Sequence, residues 1–129
     1  MSSVDCWHFR RADGTTSHLT TPEQVGTTYG VCGEIVLCRN GLHGSPRAAD
    51  ALWLGEGPLV CRTRHSGRIV RDHEKLCSSE RTLLWQADAT EALRQHAYWC
   101  ADRAMRKHAV SALRAAGLTE HADNLSRLG

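Results

Sequence analysis

No stretch of this chain approaches the roughly 18 consecutive apolar residues that cross a bilayer. Its first residues, Met1-Ser2-Ser3-Val4-Asp5-Cys6, lack the basic start and apolar centre of a signal peptide. Both absences point to a cytoplasmic protein. There is no Cys-x2-Cys knuckle of the kind most structural zinc sites use. No cysteine sits at a glycine-rich strand-to-helix elbow, which argues against a thiol hydrolase. Internal repeats and low-complexity linkers are absent. The formal net charge of +2 is too small to drive nucleic-acid binding by itself.

What is present fits one soluble globular domain over residues 1–129. The hydrophobic fraction of 41% and charged fraction of 23% are ordinary for that class. A chain of this length can bury roughly 68% of its unfolded surface, enough for a core without metal or disulfide help. The six cysteines, in a chain without a secretion signal, read as free thiols. Cys38, Cys61 and Cys100 stand in apolar settings, where cysteine packs as a small hydrophobe. Eight histidines make the surface charge sensitive to mild acid.

The pattern predicts an α+β fold: a small, mostly antiparallel sheet, a short inserted helix and a long C-terminal helix. Residues 4–86 read mainly as strands. Val4 to Arg10 alternates, with Cys6, His8 and Arg10 on one face and Trp7 and Phe9 on the other. Asp13-Gly14 marks a turn, and Thr15 to Thr20 reads as a returning strand. Glu34 to Arg39 reads as a strand stopped by Asn40-Gly41. Ser45 as N-cap and Pro46 at the first helical position predict a helix over 46–54, ended by Gly55. A strand over 58–64, a turn at His65-Ser66-Gly67-Arg68 and a return at 69–71 follow. Residues 88–128 read as helical: Asp88 caps, Glu91 falls three residues later, Gly117 breaks, and a short helix closes the chain.

Chemistry concentrates in Cys38-Arg39-Asn40-Gly41-Leu42-His43-Gly44-Ser45-Pro46. Polar, turn-forming and titratable residues sit there between a strand-like run and a helix start, a place where small domains hold ligands. Cys32-x5-Cys38-x4-His43 is the tightest Cys/His group, and without a knuckle it reads as packed thiols beside a loop histidine, so no metal is assigned. Glu80 is a carboxylate before an apolar run, able to hold a ribose hydroxyl or steady an oxocarbenium-like centre. As an unremarkable alternative it is a surface acid paired with an arginine. His8 and His43 are its candidate partners on one ligand. Arg103, Arg106, Lys107 and Arg114 form a basic stripe that suits phosphate or an acidic partner, or simply a solvated helix face.

Two resemblances extend this reading. The blocks Trp7-His8-Phe9, Leu37 to Ser45, Gly57 to Arg62, Gly67 to Val70, Lys75-Leu76 and Glu80-Arg81-Thr82-Leu83-Leu84-Trp85 resemble a family of small uncharacterised proteins of bacteriophages and actinobacterial genomes. The likeness covers most of residues 4–100 and implies a phage context. The order His8, Gly41-Leu42-His43-Gly44-Ser45, helix and Glu80 is more weakly similar to ADP-ribosyltransferase-like domains. That likeness implies NAD as ligand, with His8 on the adenine-side ribose and Glu80 on the nicotinamide ribose. His43 completes the catalytic candidates, and Gly41, Ser45 and Arg81 are the candidate cofactor-binding residues. Where those domains place an aromatic to stack on nicotinamide, this loop has Leu42 and His43. The leading expectation is therefore a phage-type accessory protein with such a nucleotide pocket, active or degenerate. The alternatives are a non-enzymatic module binding a host or phage protein, and nucleic-acid binding through the basic helix face.

Overall fold

The computed structural model describes residues 2–128, so Met1 and Gly129, the ends of the expected 1–129 span, lie outside the described residues. The fold is α+β. Strands β1 (Val4–Arg10), β2 (Thr28–Gly30), β3 (Leu42–Gly44), β4 (Leu59–Arg71) and β5 (Leu76–Asp88) form one antiparallel sheet. Its order is β1-β4-β5-β2, with β3 also paired to β5. The helices are α1 (Ala48–Leu54), α2 (Thr90–Ala115) and α3 (Thr119–Ser126). Contacts divide the chain into two compact units, Met1–Thr90 and Glu91–Gly129.

In the first unit, β1 occupies the span its alternation foretells. The centre is a long hairpin in which β4 and β5 each run 13 residues. The reversal expected at His65-Ser66-Gly67-Arg68 does not occur. Gly67, at φ +78°, instead forms an irregularity within β4, and Ser79 Oγ accepts the freed Arg68 N–H at 2.9 Å. The chain turns later, where the Asp72 N–H donates to the Lys75 carbonyl at 2.8 Å.

Three further expectations are corrected. Residues 34–39 are not a strand: Val36 and Asn40 exchange backbone hydrogen bonds of 2.8 and 2.9 Å around a tight reversal. The Asn40 side chain holds that reversal by donating to the Cys32 and Glu34 carbonyls, both at 2.8 Å. The apolar run therefore plugs the core with Ile35 while Val36 stays exposed. The α1 helix begins at Ala48, not at Pro46, and its N-cap is Arg47. Ser45 cannot cap it, because its N–H and carbonyl both bond Trp7, at 2.9 and 2.7 Å, extending the β3 segment along β1. Thr15–Thr20 forms a loop rather than a strand.

The buried part of the sheet is unusually polar. Among the buried residues of its strands, Cys6, Cys61, Leu76, Cys77 and Leu83 are matched by Arg10, Thr63, His65, Ser78 and Arg81. Each buried polar side chain there has partners, as the cost of burial demands. His65 Nε2 and Thr63 Oγ1 are 2.9 Å apart, and His65 Nδ1 and Ser78 Oγ are 2.8 Å apart. Burial, with Arg81 nearby, pushes the His65 pKa down to about 3. Cys38 and Cys100 do not share the buried apolar setting of Cys61; both are exposed. All six cysteines are free thiols.

In the second unit, α2 buries none of its residues, and α3 buries Ala122. Gly117, at φ +78°, ends α2. An Arg114–Asp123 ion pair of 2.8 Å joins the two helices. Asp88, the last residue of β5, accepts the Thr90 N–H at 2.8 Å where α2 begins.

Candidate functional site

One cavity of about 370 Å³ opens in the first unit, within the size range of small-molecule sites. One wall is the polar sheet face, with His8 from β1, His43 from β3 and Arg81 from β5. The opposite wall is the Thr16–Leu19 loop with Ala51, Leu54 and Glu56 from α1 and the segment after it. Gly41, Leu42, Gly44, Ser45, Cys38 and Lys75 complete the lining.

Five of the six residues singled out from sequence thus meet at one cavity: His8, His43, Gly41, Ser45 and Arg81. Glu80 is not among them. It is adjacent to Arg81 on β5, and successive side chains on a strand face opposite ways. Arg81 is therefore buried while Glu80 is exposed and accepts a hydrogen bond from Ser66 Oγ at 3.2 Å. The expectation that Glu80 shares a hollow with the two imidazoles is corrected on this alternation.

The acid that meets the arginines is Glu23. Its Oε1 lies 2.7 Å from Arg10 and its Oε2 3.0 Å from Arg81, and all three side chains are at most 3% exposed. Arg81 also donates to the His43 carbonyl at 2.8 Å, tying β3 to the triad. Nothing in the sequence marks Glu23, which sits in a turn-like stretch far from its partners. Arg10 had a signal, since it alternates with Cys6 and His8 on the face predicted to share one side of β1.

The ring chemistry of the two histidines follows from their neighbours. Arg10 Nε donates to His8 Nδ1 at 3.0 Å, so Nδ1 carries no proton. Burial first, then Arg81 and Arg10, holds the His8 pKa well below the usual histidine value. His8 is thus a neutral ring with its proton on Nε2, a hydrogen-bond donor on the cavity wall. His43 is occupied by its own loop. Its Nε2 accepts the Cys38 N–H at 3.0 Å, and the Gly41 backbone also bonds the ring. Burial, and then Lys75 and Arg81, lowers its pKa.

Glu56 is the carboxylate on the cavity wall. Burial would raise its pKa, but hydrogen bonds from the Ser17 N–H and hydroxyl and the Arg11 guanidinium outweigh it and hold the acid ionised. The wall therefore offers donors (the His8 ring, Lys75 and Arg81) and an acid already saturated. The His18 ring, on the Thr16–Leu19 loop, also lines the cavity, and only its backbone N–H is hydrogen-bonded, to Thr16 Oγ1. Among the described residues no group of three His, Cys, Asp or Glu side chains converges as metal ligands.

In the second unit, the basic stripe is largely engaged. Arg106 pairs with Asp102 at 3.1 Å and also donates to the Leu128 carbonyl, and Arg114 pairs with Asp123. Arg103 lies 4.9 Å over the Trp99 ring. Compared with protein-family models, with curated proteins and with solved structures, the chain matches none of them.

Proposed function

We propose that the Met1–Thr90 unit is a binding domain for a nucleotide-type ligand of the NAD or ADP-ribose class, without transferase activity. The observation that carries this reading is the convergence of His8, His43, Gly41, Ser45 and Arg81 on one cavity of about 370 Å³. A donor-rich wall suits the phosphates and ribose hydroxyls of such a ligand. The degenerate form of the ADP-ribosyltransferase resemblance is preferred over the active one because Glu80 stands on the other face and Glu56 is saturated. Calorimetric titration with NAD and with ADP-ribose tests it. Saturable binding is expected, weakened by His8→Ala and unchanged by Glu80→Gln, with no release of nicotinamide. Absence of binding to both ligands overturns the reading.

A second reading has its own observation. In α2, Tyr98, Trp99 and Met105 are exposed, Met105 by 72%. Large exposed apolar side chains on a charged helix suit a protein-interaction module. Loss of a captured host or phage protein on Trp99→Ala, with the His8→Ala variant unaffected, is the outcome this reading requires.

A further inference from the structure

In the Glu91–Gly129 unit a groove of about 790 Å³ runs along α2 beside the end of α3. Trp99, Arg103 and Lys107 line it at intervals of four residues, so they share one face of the helix. Val110 and Leu125 add apolar surface to the same groove. From Trp99 to Val110 this face extends about 17 Å, roughly three turns. Trp99 is 56% exposed there, on a helix that buries none of its residues.

The charges of the groove are unbalanced. Arg106 is paired with Asp102, whereas Arg103 and Lys107 have no acidic partner among the described residues. The Arg103 guanidinium lies flat enough over Trp99, at 4.9 Å, to count as a cation–π contact, which leaves its N–H groups open to an acceptor. Two uncommitted cations one turn apart beside an exposed indole call for a partner that is both acidic and apolar. A second copy seated on the same groove would set these cations against their equivalents, which like-charge repulsion opposes. A nucleic acid is poorly served by two cations with Asp102 between their turns, since its binding draws on many phosphate contacts.

We propose, resting on the interaction-module reading of α2, that this groove docks an acidic amphipathic helix of a partner protein. Two carboxylates three or four residues apart on that helix meet Arg103 and Lys107, and an apolar side chain between them packs on Trp99.

A display library of random peptides of about 12 residues, the length that matches the groove, is selected on the full chain, and enriched peptides are measured by fluorescence anisotropy. Enriched peptides are expected to carry Asp or Glu pairs at that spacing beside Leu or an aromatic residue. Amide replacement of those acids weakens binding about tenfold or more, as does the double variant Arg103→Gln, Lys107→Gln. Trp99→Ala does the same, while Trp53→Ala, an exposed tryptophan of the first unit, leaves binding unchanged. Trp99-dependent peptides that lack an excess of acids, or that ignore the double variant in a chain of unchanged circular dichroism, overturn the acidic partner and leave the interaction module standing. Absence of any Trp99-dependent peptide overturns both. Displacement of the peptides by a short oligothymidine, or a dimer in sedimentation that Trp99→Ala dissociates, assigns the groove to a nucleic acid or to a second copy and overturns the acidic helix as well.

Discussion

Glu23 carries more of the first unit's organisation than any other carboxylate. It neutralises two guanidiniums that are removed from water, and one of these, Arg81, reaches back to β3. Removing one member of a buried ion group leaves the rest uncompensated, which costs about 3–5 kcal/mol. Glu23→Gln is therefore expected to lower unfolding stability by about that amount in urea titration. Glu80→Gln, at an exposed position, is expected to change it by less than about 0.5 kcal/mol. Equal effects of the two substitutions would contradict the assignment. The sequence points to Glu80 because it stands before an apolar run, and that neighbourhood is legible. The identity of the buried acid is not, because Glu23 meets Arg10 and Arg81 only after the sheet has assembled.

Among the elements, β3 has the strongest claim on the site, since three residues place His43 beside both Cys38 and Arg81. Gly44 makes this docking feasible. A Cβ there would lie 2.5 Å from His65 Nε2 and 2.8 Å from the Cys6 Cβ. Gly44→Ala is expected to cost about 1–3 kcal/mol through overpacking and to displace His43, weakening ligand binding in parallel. Unchanged thermal stability in that variant would show that β3 floats free of the sheet. Local pattern reveals β1, α2 and the strand character of 58–64 and 69–71, while 80–86 reads equally as a strand or as the lead-in to a helix. It misses β3 and misplaces the start of α1 for one reason. Turn and cap residues such as Gly41, Ser45 and Pro46 signal a loop leading into a helix, but the Ser45 backbone pairs with Trp7, a partner nearly forty residues away. At Glu34–Arg39 the apolar composition suggests a strand, but Asn40 binds the chain back on itself. At 65–68 a glycine signals a turn, and a long partner strand absorbs it as an irregularity instead.

Across the whole molecule, neutral buried histidines couple stability to pH. His65 keeps its ring unprotonated until about pH 3 in the folded chain, whereas in the unfolded chain it protonates near its ordinary value of 6.5. Between those values the unfolded state binds the additional proton, so stability falls as pH falls. Above the ordinary value both states are neutral and the contribution is flat. His8 and His43 are shifted the same way and add to the loss. The carboxylates held low, Asp5, Asp13, Glu56 and Asp88, begin their own loss as pH falls through their ordinary values of 3.8 and 4.5 toward the lower folded ones. From pH 7 to pH 5 the urea midpoint is expected to drop, with His65 alone contributing about 2 kcal/mol. A His65→Asn variant, which cannot titrate, is expected to show a shallower pH slope. A midpoint unchanged between pH 7 and 5 would mean the rings are not held neutral.

The most direct measurement is an amide chemical-shift titration of the full chain with ADP-ribose. Saturable shifts at His8, Leu19 and residues 41–45 are expected, with Thr28 and Arg64 on the far side of the sheet left in place. Shifts spread over that far side, or none at the cavity under saturating ligand, would contradict the binding role assigned to His8 and its neighbours.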